Sequence, residues 1–121
     1  MMTEILIISH SEEIASGTKK LIEQMAEGVT VHASGGIGGG IGTNIGQIDH
    51  MLSEVESETI CFFDIGSSLM NLEMAVEMYE GDHEIHIANA PIVEGSFLAA
   101  VEISIGTNTA EIMDKLSEMV K

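Results

Sequence analysis

The sequence predicts an α/β fold, a single domain with a mainly parallel four-stranded sheet and helices on both faces. Three observations predict it. The run Ile5-Leu6-Ile7-Ile8 is continuously apolar and β-favouring, as expected of a strand covered on both sides. Strand-like and helix-like patterns then alternate to the end of the chain, the order that yields parallel sheets. No linker, low-complexity segment or internal repeat interrupts the alternation, so residues 1–121 read as one domain able to bury a proper core.

Each element follows in turn. After the first strand, Ile14, Leu21, Ile22 and Met25 fall at helical spacing, while Glu12, Glu13, Lys19, Lys20 and Glu23 are placed for solvent. Ser9 with Glu12 forms a candidate capping box, and Ser11 is a rival cap. Val29 to Ala33 alternates as a second strand. A glycine-rich loop, Gly35 to Gly42, leads to a helix from about Asn44 to Glu56 with Ile45, Ile48 and Leu52 inward. Ile60-Cys61-Phe62-Phe63 is the third strand and ends in Asp64. Leu69, Leu72, Val76 and Tyr79 mark the inner face of the next helix, and Glu84 to Ala88 is a short fourth strand. Ser96 is the expected cap of a helix over Phe97 to Ile105, whose first turns are apolar nearly all round and suit deep burial or a subunit interface. Asn108 or Thr109 caps a last helix carrying Ile112, Leu116 and Met119. The methionines Met70, Met74, Met78, Met113 and Met119 read as core filler.

Composition narrows the function. Twenty acidic residues face four lysines (Lys19, Lys20, Lys115, Lys121) and no arginine, a formal net charge of −16. Such a surface repels nucleic acid and anionic membranes, so neither is an expected partner. It also lacks the guanidinium fork that clamps phosphate, so any phosphoryl group must be held by backbone N–H groups and hydroxyls. No apolar run approaches the ~20 residues a membrane span needs. Met1-Met2-Thr3-Glu4 offers no basic leader, and the lone Cys61 fits a reducing, cytoplasmic setting.

Three strand ends bring polar residues to one edge of the sheet: His10, Asp64 and Asn89. In a doubly wound sheet the first and third strands are commonly neighbours, flanking the switch point where ligands bind. That places His10 and Asp64 within reach of each other. A carboxylate accepting from one ring nitrogen fixes the tautomer and leaves the other nitrogen bare to attack. The plainer readings are a capping histidine and a turn aspartate. The segment Gly35 to Thr43 looks like a phosphate cradle, but it lacks both G-x-G-x-x-G and the Walker lysine, which disfavours a dinucleotide fold and a P-loop kinase. Gly66-Ser67-Ser68 repeats the donor-rich theme at a helix start. His32, His50, His83 and His86 show no convincing metal spacing, and no metal site is expected.

Four motifs in order, Ile7-Ile8-Ser9-His10-Ser11, Gly42-Thr43, Asp64 to Leu69 and Ala90-Pro91-Ile92-Val93-Glu94-Gly95, resemble the phosphotransferase subunit of phosphoenolpyruvate-dependent dihydroxyacetone kinase. That subunit is similar to the enzyme IIA domain of mannose-type sugar phosphotransferase systems, and the resemblance covers nearly the whole chain. It implies a flavodoxin-like core, a homodimer, and a phosphotransferase in which His10 is transiently phosphorylated and Asp64 orients it. Ser11, Gly38, Gly39, Gly40, Gly42, Thr43 and Ser67 would line the phosphoryl pocket. The implied donor is the histidine phosphocarrier protein. The implied acceptor is ADP on the nucleotide-binding subunit of dihydroxyacetone kinase, this chain itself binding no cofactor. Some family members continue into further phosphocarrier domains, whereas this sequence ends at Lys121. Mannose-type domains carry a proline in the loop after the third strand; here that loop reads Gly66-Ser67-Ser68-Leu69, which favours the dihydroxyacetone reading over sugar import.

Two alternatives use other chemistry. A receiver domain would be phosphorylated on Asp64, but it needs an acidic pair after the first strand and a lysine late in the fold. A flavin-binding domain is disfavoured by the absence of tryptophan and the single Tyr79.

Overall fold

The computed structural model describes residues 2–120. The elements are β1 (Glu4–Ser9), α1 (Glu12–Met25), β2 (Val31–Gly35), α2 (Ile45–Ser53), β3 (Thr59–Phe63), α3 (Gly66–Met78), β4 (Ile85–Ala88), α4 (Ile92–Ser104) and α5 (Thr109–Glu118). The four strands form one parallel sheet in the order β2-β1-β3-β4. Since β1 pairs with both β2 and β3, the chain reverses its winding direction between β1 and β3. This is the expected doubly wound arrangement, and it leaves a crevice at the carboxyl ends of those two strands.

All six residues of β1 are buried. Its side chains alternate between two cores, because successive residues of a strand point to opposite faces. Ile5 and Ile7 join Ile60, Phe62, Ile22, Ala99, Ile112 and Leu116 beneath α1, α4 and α5. Leu6 and Ile8 join Cys61, Ile48, Leu52, Leu72 and Ala75 beneath α2 and α3. Cys61 is fully buried, and that burial pushes its thiol up, away from the reactive thiolate form. Among the described residues no helix is long and apolar enough to cross a membrane.

Several local expectations need correction. The buried face of α1 is Ala15, Thr18 and Ile22, whereas Ile14, Leu21 and Met25 are exposed. The inward arc runs through Ala15, Thr18 and Ile22, three and four residues apart, and that helical phase leaves Ile14, Leu21 and Met25 outside. The cap of α1 is Ser11, whose side chain accepts from the Ile14 N–H; the Ser9 hydroxyl is buried and turned to Asp64 instead. Strand β2 runs later than its alternation suggests, because Gly35 still pairs with Ser9. Helix α4 starts at Ile92 behind Pro91, which sits at the N-cap with φ −54°. Ser96 lies inside that helix, buried, donating to the Ile92 carbonyl rather than capping. Met70, Met74 and Met78 are exposed along α3, so only Met113 and Met119 serve the core as expected.

Gly35 is required by space. A Cβ there would lie 2.5 Å from the Ser11 carbonyl oxygen, which is backbone and cannot swing aside. Gly17, exposed in mid-α1, has nothing within 4 Å of a built Cβ. Gly35→Ala is therefore expected to destabilise the fold by about 1–3 kcal/mol. Gly17→Ala is expected to stabilise it by about 0.5–1 kcal/mol, through lower unfolded-state entropy. Urea unfolding of both variants checks the pair.

Candidate active site

Strand β1 ends at Ser9 and β3 at Phe63, in adjacent register with Ile8 beside Phe63. The next residue of each strand projects into the same crevice, so His10 and Asp64 meet. The His10 Nδ1 lies 2.9 Å from Asp64 Oδ1, and the His10 backbone N–H donates to Oδ2 at 2.8 Å. An ionised carboxylate can only accept, so Nδ1 carries the proton and Nε2 of the neutral ring is bare. On the other side of the ring, Ser67 Oγ lies 2.6 Å from Nε2 and donates its proton to that lone pair. The imidazole is thus held at both nitrogens with its lone pair directed toward the exposed Ser67.

Asp64 is held more fully still. Besides the two contacts from His10, it receives Ser9 Oγ–H at 2.8 Å, Ile65 N–H at 2.7 Å and Ser68 Oγ–H at 2.9 Å, five donors in all. Partial burial acts to raise the carboxyl's titration, but the bonds from the His10 backbone and ring, Ser9 and Ser68 outweigh it. The carboxyl is held well below the usual carboxylate range and stays ionised.

The glycine-rich loop leaves β2 at Gly35, which pairs with Ser9 beside the site. Its return is tied to the site, because Gly42 N–H donates to the His10 carbonyl at 2.8 Å. Thr43 Oγ1 accepts from Asn71 of α3 at 2.7 Å, which links the loop to the helix behind Ser67. Ile37 and Gly40 form an isolated antiparallel bridge, with Gly38 and Gly39 at positive φ between them. Gly38 and Gly39 therefore make the tip of a tight turn, where no Cβ contact lies within 4 Å, and Gly40 closes it. The oxygen of Ser11 is occupied as the cap of α1. So the structure brings together His10, Asp64 and Ser67, with Gly42 and Thr43 tied in through their hydrogen bonds. Ser9 and Ser68 were missed as site residues, because a serine beside a helix start reads first as a cap.

His32 and His86 form carboxylate pairs away from this crevice. His32 Nε2 lies 2.7 Å from Glu4 Oε1, and His86 Nε2 lies 2.7 Å from Glu58 Oε2. Glu58, Glu84 and His86 bring donor atoms within 4.8 Å of one another, a grouping that spacing along the chain did not reveal. These pairs lie toward the opposite edge of the sheet, near the starts of the strands.

A parallel doubly wound sheet with a histidine–carboxylate pair at its switch point defines a flavodoxin-like domain with a polar, arginine-free site. The family model described as "PTS system fructose IIA component" matches residues 4–113, and the chain belongs to that family. The chain is 39% identical, over 96% of its length and 94% of the relative's, to the phosphotransferase subunit DhaM of PTS-dependent dihydroxyacetone kinase from Lactococcus lactis subsp. lactis (strain IL1403). It is 37% identical to the phosphoryl donor subunit DhaM of PEP-dependent dihydroxyacetone kinase 2 from Listeria innocua, over 98% and 99% of the two chains. The Escherichia coli (strain K12) phosphoryl donor subunit DhaM matches at 25% identity over 93% of this chain, which spans 26% of that longer protein. Among solved structures, a protein of unknown function superposes with a TM-score of 0.89 at 33% identity, covering 100% of this chain and 97% of that one. A phosphotransferase system component EIIA from Streptococcus agalactiae shares the fold, with a TM-score of 0.69 at 16% identity over 98% and 92% of the chains. The resemblance to dihydroxyacetone kinase phosphotransferase subunits, read first from four motifs, thus holds over most of the chain.

The lowered Asp64 carboxyl gives a pH dependence of stability. A group depressed below its ordinary value of 3.8 stabilises the fold fully above that value and loses the contribution as pH falls toward its folded value. Asp64→Asn is expected to unfold at lower temperature than the parent at pH 7. The gap between the two melting curves should narrow below about pH 4. A gap of equal size at pH 7 and pH 3 would contradict this account.

Proposed function

We propose that this chain is a phosphocarrier in phosphotransferase-dependent dihydroxyacetone phosphorylation, carrying the phosphoryl group on Nε2 of His10. The observation that supports it most is the ring itself, held by Asp64 at Nδ1 and offering Nε2 toward the Ser67 hydroxyl. The Nε2 lone pair attacks the phosphorus of a phosphohistidine on the donor, the histidine phosphocarrier protein. The donor's P–N bond breaks and its electron pair returns to the donor ring. The His10 ring keeps its Nδ1 proton and becomes cationic, and the Asp64 carboxylate stabilises that charge, as the aspartate of a hydrolytic triad does. Ser67 swings off Nε2 and donates to a phosphoryl oxygen. In the second step an oxygen of the terminal phosphate of ADP, bound on the nucleotide-binding subunit of the kinase, attacks phosphorus. The P–N electron pair then returns to Nε2, and the ring is again neutral with its Nδ1 proton in place.

The lack of arginine and lysine at the crevice suits a group that must be passed on, since a tightly held intermediate would be a poor donor. The acidic surface favours encounter with basic phosphoprotein partners in a salt-dependent way. Commitment of both Asp64 oxygens to hydrogen bonds speaks against the receiver alternative, in which that carboxylate would be the nucleophile. A homodimer is part of this reading, and the exposed row Met70, Met74 and Met78 on α3 offers an apolar surface for it.

Incubation with phosphoenolpyruvate and the two general phosphotransferase proteins is expected to label the chain with an acid-labile, alkali-stable phosphoryl group. His10→Ala should carry none, and Ser67→Ala, lacking one hydrogen bond to the charged phosphoryl group, should be labelled about ten- to a hundredfold more slowly. A label that survives the His10 change would overturn the proposal.

A further inference from the structure

We propose that Ser9 is a positioning residue that sets how readily the phosphoryl group leaves His10, by drawing hydrogen-bonding capacity from the Asp64 carboxylate. Ser68 is its weaker counterpart. The inference rests on the phosphohistidine reading above and concerns residues with no part in it.

The direction of the Ser9 proton is set by its surroundings. The Ser9 hydroxyl is fully buried and accepts from the Ser11 backbone N–H at 3.0 Å. Its own proton is therefore directed at Asp64 Oδ2, 2.8 Å away, completing a chain from Ser11 N–H through Ser9 Oγ–H to the carboxylate. Ser68 is equally buried but less committed. Its single proton has two acceptors, Asp64 Oδ1 at 2.9 Å and the Ile65 carbonyl at 2.6 Å. Three donors crowd Oδ1 (Ile65 N–H, Ser68 and the His10 ring), while Oδ2 takes Ser9 and the His10 backbone. Two carboxylate oxygens present about four lone-pair sites, so five donors compete for them. Each donor that takes a share leaves the carboxylate a weaker acceptor for the His10 Nδ1–H.

The consequence falls on the cationic phosphoimidazole. A strong, lightly hydrogen-bonded carboxylate would stabilise that cation and make the phosphorylated protein a deep energy well. Ser9 moderates the stabilisation, so the P–N bond formed at Nε2 remains easy to break when the acceptor oxygen attacks. Asp64 orients the ring, and Ser9 limits how strongly it does so.

The test compares the parent with Ser9→Ala, Ser9→Cys and Ser68→Ala. The equilibrium constant for phosphoryl exchange with the histidine phosphocarrier protein is expected to shift about three- to tenfold toward the phosphorylated chain in Ser9→Ala. Ser9→Cys, near in size but a weak donor, should fall between that variant and the parent. Ser68→Ala should shift less than Ser9→Ala, since its proton is shared with Ile65. In the unphosphorylated proteins, the His10 Nδ1–H proton resonance should move downfield in the same order. A loss of thermal stability without movement of that resonance or of the equilibrium would overturn the assignment, reducing Ser9 to a structural bond. The two proposals fail separately: an unlabelled parent protein refutes the phosphocarrier reading, and the resonance still decides whether Ser9 weakens Asp64.

Discussion

Central placement of β1 is the constraint on which the rest depends. Its side chains Ile5, Leu6, Ile7 and Ile8 are at most 1% exposed, so neither face of the strand tolerates water. A strand of this kind must be flanked by two others and covered by helices above and below, and β2, β3 and both helical layers meet that demand. Reversal of winding on either side of β1 then follows, because right-handed crossovers to opposite sides of one strand place their helices on opposite faces. The crevice at the ends of β1 and β3 is a by-product of that burial, and it is where His10 and Asp64 meet.

Within the crevice the Asp64 carboxylate organises the polar groups. It ties the end of β1 to the start of α3 through Ser9, His10, Ile65 and Ser68, and it dictates the tautomer of His10. No lysine or arginine is among these contacts. In a chain of net charge −16, backbone N–H groups and hydroxyls supply the donors instead. That arrangement orients an imidazole firmly while offering little to trap an anion, the balance a transferable phosphoryl group requires.

Much of this was legible in the sequence because it rests on strong, short-range signals. Four apolar residues in a row identify β1, and a polar residue straight after it marks the strand end; the same logic found Asp64 after Cys61-Phe62-Phe63. Placing the two side by side needed only the tendency of doubly wound sheets to neighbour their first and third strands. Failures came where competing residues carry equal local signals. Ser9 and Ser11 are both capping residues on paper, and burial of Ser9 beside Asp64 decided between them. In α1, Ile14, Leu21 and Met25 look like an inward stripe with Ile22, yet the arc that meets the sheet runs through Ala15, Thr18 and Ile22. The methionines of α3 look like core for the same reason, and they lie outside because Leu72 and Ala75 fill the inner face.

By itself the sequence determined the fold class, the strand that must be central and the two residues that would end up opposite each other. Hydrophobic continuity and the alternation of periods are properties of consecutive residues, readable without knowing what they pack against. Only the tertiary structure decided which hydroxyl points where: Ser11 to its helix, Ser67 to Nε2, Ser9 and Ser68 to Asp64. A hydroxyl has no strong local preference among such partners, so its role is settled by which acceptor the folded chain brings within about 3 Å.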